Sequence, residues 1–293
     1  KTVAVAGGSG FIGTHYIKKL LEYGADIVTH THVRSLQIKD KRIKVIESLD
    51  LENLDDCYKL VKDADYVIHA GGRICHPASV PTDIQVSTKG FLDLNSSTGY
   101  PDIRRPLKED EFWKEEPHSK YYGYGWMRRY REKLMEHVSR FTDMKIALAR
   151  GTAIYGPYDN FDLKTCHVVP ALIKRVLSGE NPFEVWGSPD VVRDFLYVED
   201  VVRAGLLILE KGDSMDPYNV GSGEAVTVGD IVIAILKATD KTPEVFYNES
   251  MPTTIPFRMV STEKIEKELG FIKQYTFEQG IAETVKWYKE NLI

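Results

Sequence analysis

The run Thr2-Val3-Ala4-Val5-Ala6-Gly7-Gly8-Ser9-Gly10-Phe11-Ile12-Gly13 decides the architecture. Its first five residues are small or β-branched and read as a buried strand, which stops at once in a Gly7-x-x-Gly10-x-x-Gly13 loop. Beyond the loop, Ile17, Leu20 and Leu21 recur at helical spacing over residues 14–23, and Gly24 supplies a C-terminal stop. A glycine loop in this setting turns tightly, admits a pyrophosphate against backbone N–H groups and aims a helix N-terminus at it. The stretch predicts a dinucleotide site at Gly7, Gly10 and Gly13.

Working outward, strands are expected at 27–31, 44–47 and 66–69, a helix at 54–62, and later strands at 145–149 and 195–198. Alternating strands and helices imply a parallel sheet with right-handed crossovers. The expected fold is α/β: a Rossmann-type doubly wound parallel sheet over 1–153, with a return segment near 193–210. A smaller C-terminal α/β substrate lobe is expected over 154–293. One stretch does not fit: a helix over 83–93 leaves only Leu94 for a fifth strand before Asn95-Ser96. A crossover and strand need far more chain than that. The spacing therefore predicts a lost segment between about Gly90 and Asn95.

The 293 residues carry 38 Lys+Arg against 43 Asp+Glu, a formal charge of -5, which disfavours nucleic acid as a partner. Three cysteines, Cys57, Cys75 and Cys166, share no metal-type spacing, so no metal is expected and a reducing, cytoplasmic setting is. No apolar run approaches the ~18 residues of a membrane span, so no membrane association is expected. The second strand of such folds commonly ends in an acid that holds the adenosine ribose. Here Thr29-His30-Thr31-His32-Val33-Arg34 contains no carboxylate. Arg34, with His30 or His32, suits a 2′-phosphate, which favours NADP and leaves NAD as the alternative.

Further marks are His69-Ala70-Gly71-Gly72, Ser96-Ser97-Thr98-Gly99-Tyr100-Pro101, Tyr124 opening YGWMRRYREKL, Tyr155-Gly156-Pro157, Arg193-Asp194-Phe195-Leu196-Tyr197-Val198-Glu199-Asp200 and Arg258. With the glycine loop they resemble the extended short-chain dehydrogenase/reductase family of nucleotide-sugar epimerases, dehydratases and reductases, over nearly the whole chain. Gly156-Pro157-Tyr158-Asp159-Asn160-Phe161 and His167-Val168-Val169-Pro170-Ala171-Leu172 look most like its GDP-fucose synthase branch.

The resemblance implies that Tyr124 exchanges a proton with a sugar oxygen while nicotinamide exchanges a hydride, and that Ser96 hydrogen-bonds the reacting oxygen. A phenol with a free pKa of ~10 is a poor base at neutral pH, and a neighbouring cation favours the phenolate. The family places lysine four residues after its tyrosine; this chain has Arg128, which keeps the charge in a different shape. Tyr58 and Lys62 reproduce the Y-x-x-x-K spacing too early in the chain to reach the site. His167 matches the branch's histidine acid/base, but Thr98 stands where its cysteine belongs, which weighs against epimerisation at two centres and towards chemistry at C4.

The resemblance also implies cofactor contacts at Phe11, Ile12, Asp50, Ala70 and Gly71 and at Tyr124 and Arg128. Substrate contacts are implied at Thr98, Asn160, His167, Lys174, Arg193 and Arg258. Trp186 reads as a core residue, with a place beside the substrate as its alternative. A nucleotide-diphosphate sugar, GDP-linked by resemblance, is the implied partner, and a homodimer the implied assembly. The expected activity is NADP-dependent oxidoreduction or epimerisation at C4; a non-catalytic dinucleotide-binding sensor or scaffold is the alternative that Arg128 supports.

Overall fold

The computed structural model describes residues 1–32, 34–70, 89–251 and 254–293. Gly71, Gly72, Cys75 and the first part of the expected 83–93 helix lie outside them. The first half of the chain runs β1 (Thr2–Ala6), α1 (Phe11–Glu22), β2 (Asp26–His30), β3 (Ile43–Ile46), α2 (Leu54–Val61), β4 (Tyr66–His69), β5 (Gly90–Ser96), α3 (Tyr122–Ser139) and β6 (Lys145–Gly151). With β11 (Pro217–Val220), the strands form one seven-stranded sheet in the order β11-β6-β5-β4-β1-β2-β3, every pairing parallel. This is the doubly wound order, with the switch between β1 and β4 where such sheets bind ligands beyond their strand ends.

Both sheet faces are covered, so its strands are apolar rather than alternating. Val3, Val5, Ile68 and Leu92 pack with Tyr16 and Ile17 of α1. Ala4, Val67, Phe91 and Leu148 pack on the opposite side with Leu60 of α2 and Met135 and Val138 of α3.

The fifth strand is the main correction. Gly90–Ser96 is a strand between β4 and β6, so residues 90–93 are not helical. Phe91 and Leu92 fill opposite faces of the sheet, and the seven backbone units complete a ladder that would otherwise stand open. The cost is a carboxylate in the interior: Asp93 is fully buried and ion-paired to Arg131 of α3.

The second lobe contains β7 (Ala153–Tyr155), α4 (Val168–Leu177), β8 (Phe183–Trp186), β9 (Val192–Arg193) and β10 (Phe195–Tyr197). Helix α5 (Val198–Lys211) returns to the large sheet, where Val201, Val202 and Ile208 join the α1-side core, and β11 follows it in. Then come β12 (Val226–Thr227), α6 (Val228–Thr239), β13 (Val245–Asn248), β14 (Phe257–Arg258), α7 (Glu263–Leu269) and α8 (Phe277–Leu292). Ile265 and Leu269 of α7 pack on the first core, so the return extends beyond the expected 193–210. The lobe's own core gathers Tyr155, Phe161, Leu172, Phe183, Ile235 and Ile281. Trp186 is not part of it: it ends a two-stranded sheet at 54% exposure, correcting the expectation of a core residue. Among the described residues no helix is long and apolar enough to cross a membrane.

Candidate functional site

The glycine loop is built for close approach. Gly7 has φ +83°, in the left-handed region, and its carbonyl accepts from the Gly10 N–H at 2.9 Å. A Cβ on Gly13 would stand 2.1 Å from the Gly7 oxygen. Gly10 is the N-cap of α1, which begins at Phe11, three residues before the expected start, because Phe11 and Ile12 are drawn against the second-lobe core. The cradle of backbone N–H groups at this helix end fits a dinucleotide pyrophosphate.

At the end of β2, His30 is buried and its Nε2 accepts from the Gly7 N–H at 2.9 Å. Burial holds its pKa down, and with Nε2 taken up by the Gly7 N–H the ring braces the loop. Arg34 lines a cavity of about 560 Å³ with Ser9 of the loop and Thr14 of α1, and a neighbouring groove of about 690 Å³ with Lys39 and Lys41. Ala70 follows β4 and donates its N–H to the Ala6 carbonyl at 2.9 Å, beside the loop. Asp50 is exposed and folded into its own turn, its Oδ1 accepting from the Glu52 N–H at 2.9 Å.

A second group forms where β5 ends and α3 begins. Ser96 closes β5, and its Oγ accepts from both the N–H and the hydroxyl of Thr98 at 3.3 Å. Tyr124 lies in the first turn of α3 at 67% exposure, and Arg128 follows one turn later. Burial above all, then Arg131, pushes the Arg128 guanidinium down to about 10, while Asp93 and Tyr124 favour its charge. His69 at the end of β4 touches Arg131 and is held well below its usual range by burial and by Arg131 and Arg128.

A buried polar chain that the sequence did not reveal sets α3 against the sheet. Asn95 Nδ2 donates to the Arg128 carbonyl at 3.1 Å and to Glu132 at 2.7 Å. Glu132 pairs with Arg150 at 2.8 Å; Arg150 donates to the Tyr100 hydroxyl at 3.1 Å, which donates to Asn219 at 2.6 Å. Polar residues within otherwise apolar strands (Asn95 in β5, Arg150 in β6) were the available signal.

Arg193 and Arg258 are register partners on β9 and β14. Arg258 is buried, donating to the Pro101 carbonyl at 2.8 Å, and its Nε has no hydrogen-bond partner among the described residues. Arg193 donates to the Val192 carbonyl at 2.7 Å and also reaches Thr254 and Ile255. Burial lowers both guanidinium pKa values, that of Arg258 to about 10, and Tyr121 just ahead of α3 faces both. Among the described residues neither forms an ion pair with a carboxylate.

Asn160 and Lys174 fall elsewhere, lining the 560 Å³ cavity opposite the glycine loop. Asn160 Nδ2 donates to Thr165 at 2.8 Å, and Lys174 Nζ to the Phe161 carbonyl at 3.0 Å. His167 is the exposed N-cap of α4. Asp159 was missed in the sequence. It lines the same cavity with Oδ2 sealed from solvent and without a hydrogen-bond partner among the described residues, and burial pushes its pKa up to about 6 against the Asn160 N–H and His167.

With this geometry in hand, residues 3–221 match the NAD dependent epimerase/dehydratase family. The chain belongs to that family. Curated relatives include a probable GDP-L-fucose synthase 1 of Oryza sativa subsp. japonica, 27% identical with 99% of this chain and 93% of the relative covered. A dTDP-4-dehydro-6-deoxy-D-allose reductase of a Streptomyces species is 25% identical, with 99% and 96% covered. Among solved structures, UDP-glucose 4-epimerase of Thermotoga maritima superposes with a TM-score of 0.86 at 24% identity, covering 100% of both chains. The likeness to that structure is one of fold, the doubly wound parallel sheet described above.

Proposed function

We propose that this protein is an NADP-dependent oxidoreductase or epimerase acting at C4 of a nucleotide-diphosphate sugar. The carrying observation is local: Ser96 ends β5, a Cβ on Gly125 of α3 would stand 2.8 Å from the Thr98 carbonyl two residues on, and Tyr124 and Arg128 stand one turn apart on the start of α3, where the phenol favours the guanidinium charge. The Arg193–Arg258 pair, free of carboxylate partners among the described residues, suits a diphosphate, whose oxygens accept paired charge-assisted hydrogen bonds.

In the reductive direction, the Tyr124 hydroxyl gives its proton to the C4 carbonyl oxygen while Ser96 donates a hydrogen bond to the same oxygen and polarises it. Arg128 holds positive charge beside the phenolate left behind. The dinucleotide, when bound, supplies the hydride to C4, completing the alcohol. The glycine cradle holds its pyrophosphate, and Arg34 beside Ser9 takes the 2′-phosphate.

A GDP-linked sugar is supported by the GDP-L-fucose synthase and by the GDP-mannose 3,5-epimerase 1 of Oryza sativa subsp. indica among the curated relatives. Thr98 in place of a cysteine favours C4 chemistry over epimerisation at two centres. A homodimer through α3 is part of this reading, because Trp126, Tyr130 and Phe141 are exposed along and just beyond that helix. Free Cys57 and Cys166 fit a reducing cytoplasm.

The test is denaturing mass spectrometry for released dinucleotide, followed by turnover of GDP-4-keto-6-deoxymannose with NADPH and of UDP-glucose with NAD. Tyr124→Phe should lower kcat by about 10²–10⁴-fold on whichever substrate turns over. Full activity in that variant would remove Tyr124 from the chemistry, and failure to bind NADPH or NADH would remove the enzyme reading.

A further inference from the structure

Tyr121 closes the short turn Ser119–Tyr121 and is the N-cap residue of α3, its N–H donating to the His118 carbonyl at 2.8 Å. His118 anchors that turn. It is buried, its Nδ1 accepts from the Lys120 N–H at 3.0 Å, and its Nε2 meets the Asp102 carboxylate at 3.3 Å. Asp102 follows Pro101, whose carbonyl accepts from Arg258 at 2.8 Å. On the other side Lys120 Nζ donates to the Thr254 carbonyl at 3.3 Å, and the Thr254 hydroxyl accepts from Arg193. The turn is thus tied to the surroundings of both arginines, and the Tyr121 phenol is hydrogen-bonded to the Arg193 guanidinium and adds to the field that favours charge on Arg258.

A guanidinium carries N–H donors and no acceptor, so a phenol facing two of them can only accept there, and its own proton must go to a third group. The two guanidinium charges, neither in an ion pair with a carboxylate among the described residues, leave the same place short of anionic acceptors. A diphosphate supplies both needs, because its oxygens only accept and it carries negative charge. Tyr121 also stands three residues before Tyr124 at the start of α3, a spacing that sets neighbours on one helix face.

We propose that Tyr121 binds the substrate's diphosphate directly, its hydroxyl donating to a phosphate oxygen held between Arg193 and Arg258. The inference deepens the diphosphate site proposed above and rests on it.

GDP, UDP and inorganic pyrophosphate are titrated into the full chain by calorimetry. Tyr121→Phe keeps the ring and removes only the hydroxyl, and should weaken GDP or UDP binding by about tenfold. A residue that merely held Arg193 in place would act only through it. In an Arg193→Met background, Tyr121→Phe should therefore still weaken binding by about fivefold. Thermal unfolding verifies that each variant is folded. Undiminished GDP and UDP affinity in Tyr121→Phe overturns the inference and leaves the diphosphate site standing. So does an Arg193→Met protein in which Tyr121→Phe costs nothing more. An unmodified protein that binds none of GDP, UDP and pyrophosphate overturns the diphosphate site itself, and the inference with it.

Discussion

Lowering the pH from 8 to 5 should cost this protein about 2 kcal/mol of stability through His15 alone. The ring is 5% exposed and Nε2 meets the Pro157 carbonyl at 2.9 Å, so the neutral ring donates there. Burial, above all, lowers its pKa from 6.5 to about 4, assisted by Lys18 and opposed by the Pro157 bond and Glu199. The unfolded chain takes up its proton near the ordinary value, whereas the folded chain resists until about 4. The folded pKa is depressed, so stability is full above the unfolded value and falls as the pH drops through this window. Each pKa unit is worth about 1.4 kcal/mol, which sets a ceiling of about 3 kcal/mol below pH 4. His15→Gln retains an N–H donor and removes the titration. Urea unfolding at pH 8, 7, 6 and 5 should show the unmodified protein losing about 2 kcal/mol more than the variant, because titrating carboxylates are common to both. Curves parallel to within about 0.5 kcal/mol would refute a buried neutral His15.

Three further outcomes are expected. Gly13→Ala drives a methyl into the Gly7 backbone carbonyl, which cannot swing aside as a side chain would, and should cost about 1–3 kcal/mol in thermal unfolding together with most of the NADPH affinity. Arg34→Asp places a carboxylate at the proposed 2′-phosphate position and should lower the NADPH-to-NADH preference by about tenfold or more in fluorescence titration; an unchanged ratio would place that phosphate elsewhere. Arg258→Met removes one of the two paired cations and should weaken GDP or UDP binding by about tenfold or more in calorimetry, leaving NADPH binding nearly unchanged.

Residues 2–13 were enough to announce the dinucleotide unit, because strand, loop and helix signals fall in one uninterrupted local pattern. Elements such as 54–62 and 66–69 were legible for the same reason. The fifth strand was not. Gly-Phe-Leu-Asp-Leu carries no alternation, and Asp93 argues against a buried strand until Arg131 is brought to it from α3. Trp186 was misread because a tryptophan in an apolar run suggests burial, whereas its strand belongs to a two-stranded sheet with an open face. His30 could be read as a phosphate partner from chain position alone; its bond to Gly7 is a contact across the sheet.

The sequence by itself determined which residue types stand at the expected site positions, including the departures Arg128 and Thr98. It also determined the alternation that makes the fold α/β, since local periodicity and loop chemistry are short-range properties. Tertiary structure alone decided which charges meet. It set Arg193 beside Arg258, Asp93 against Arg131, and Asn160 with Lys174 on the glycine-loop cavity. It also placed Lys18 on the face of Tyr158, 140 residues away. Strand register and helix packing bring such groups together, and burial then sets their protonation, so neither can be read from spacing along the chain.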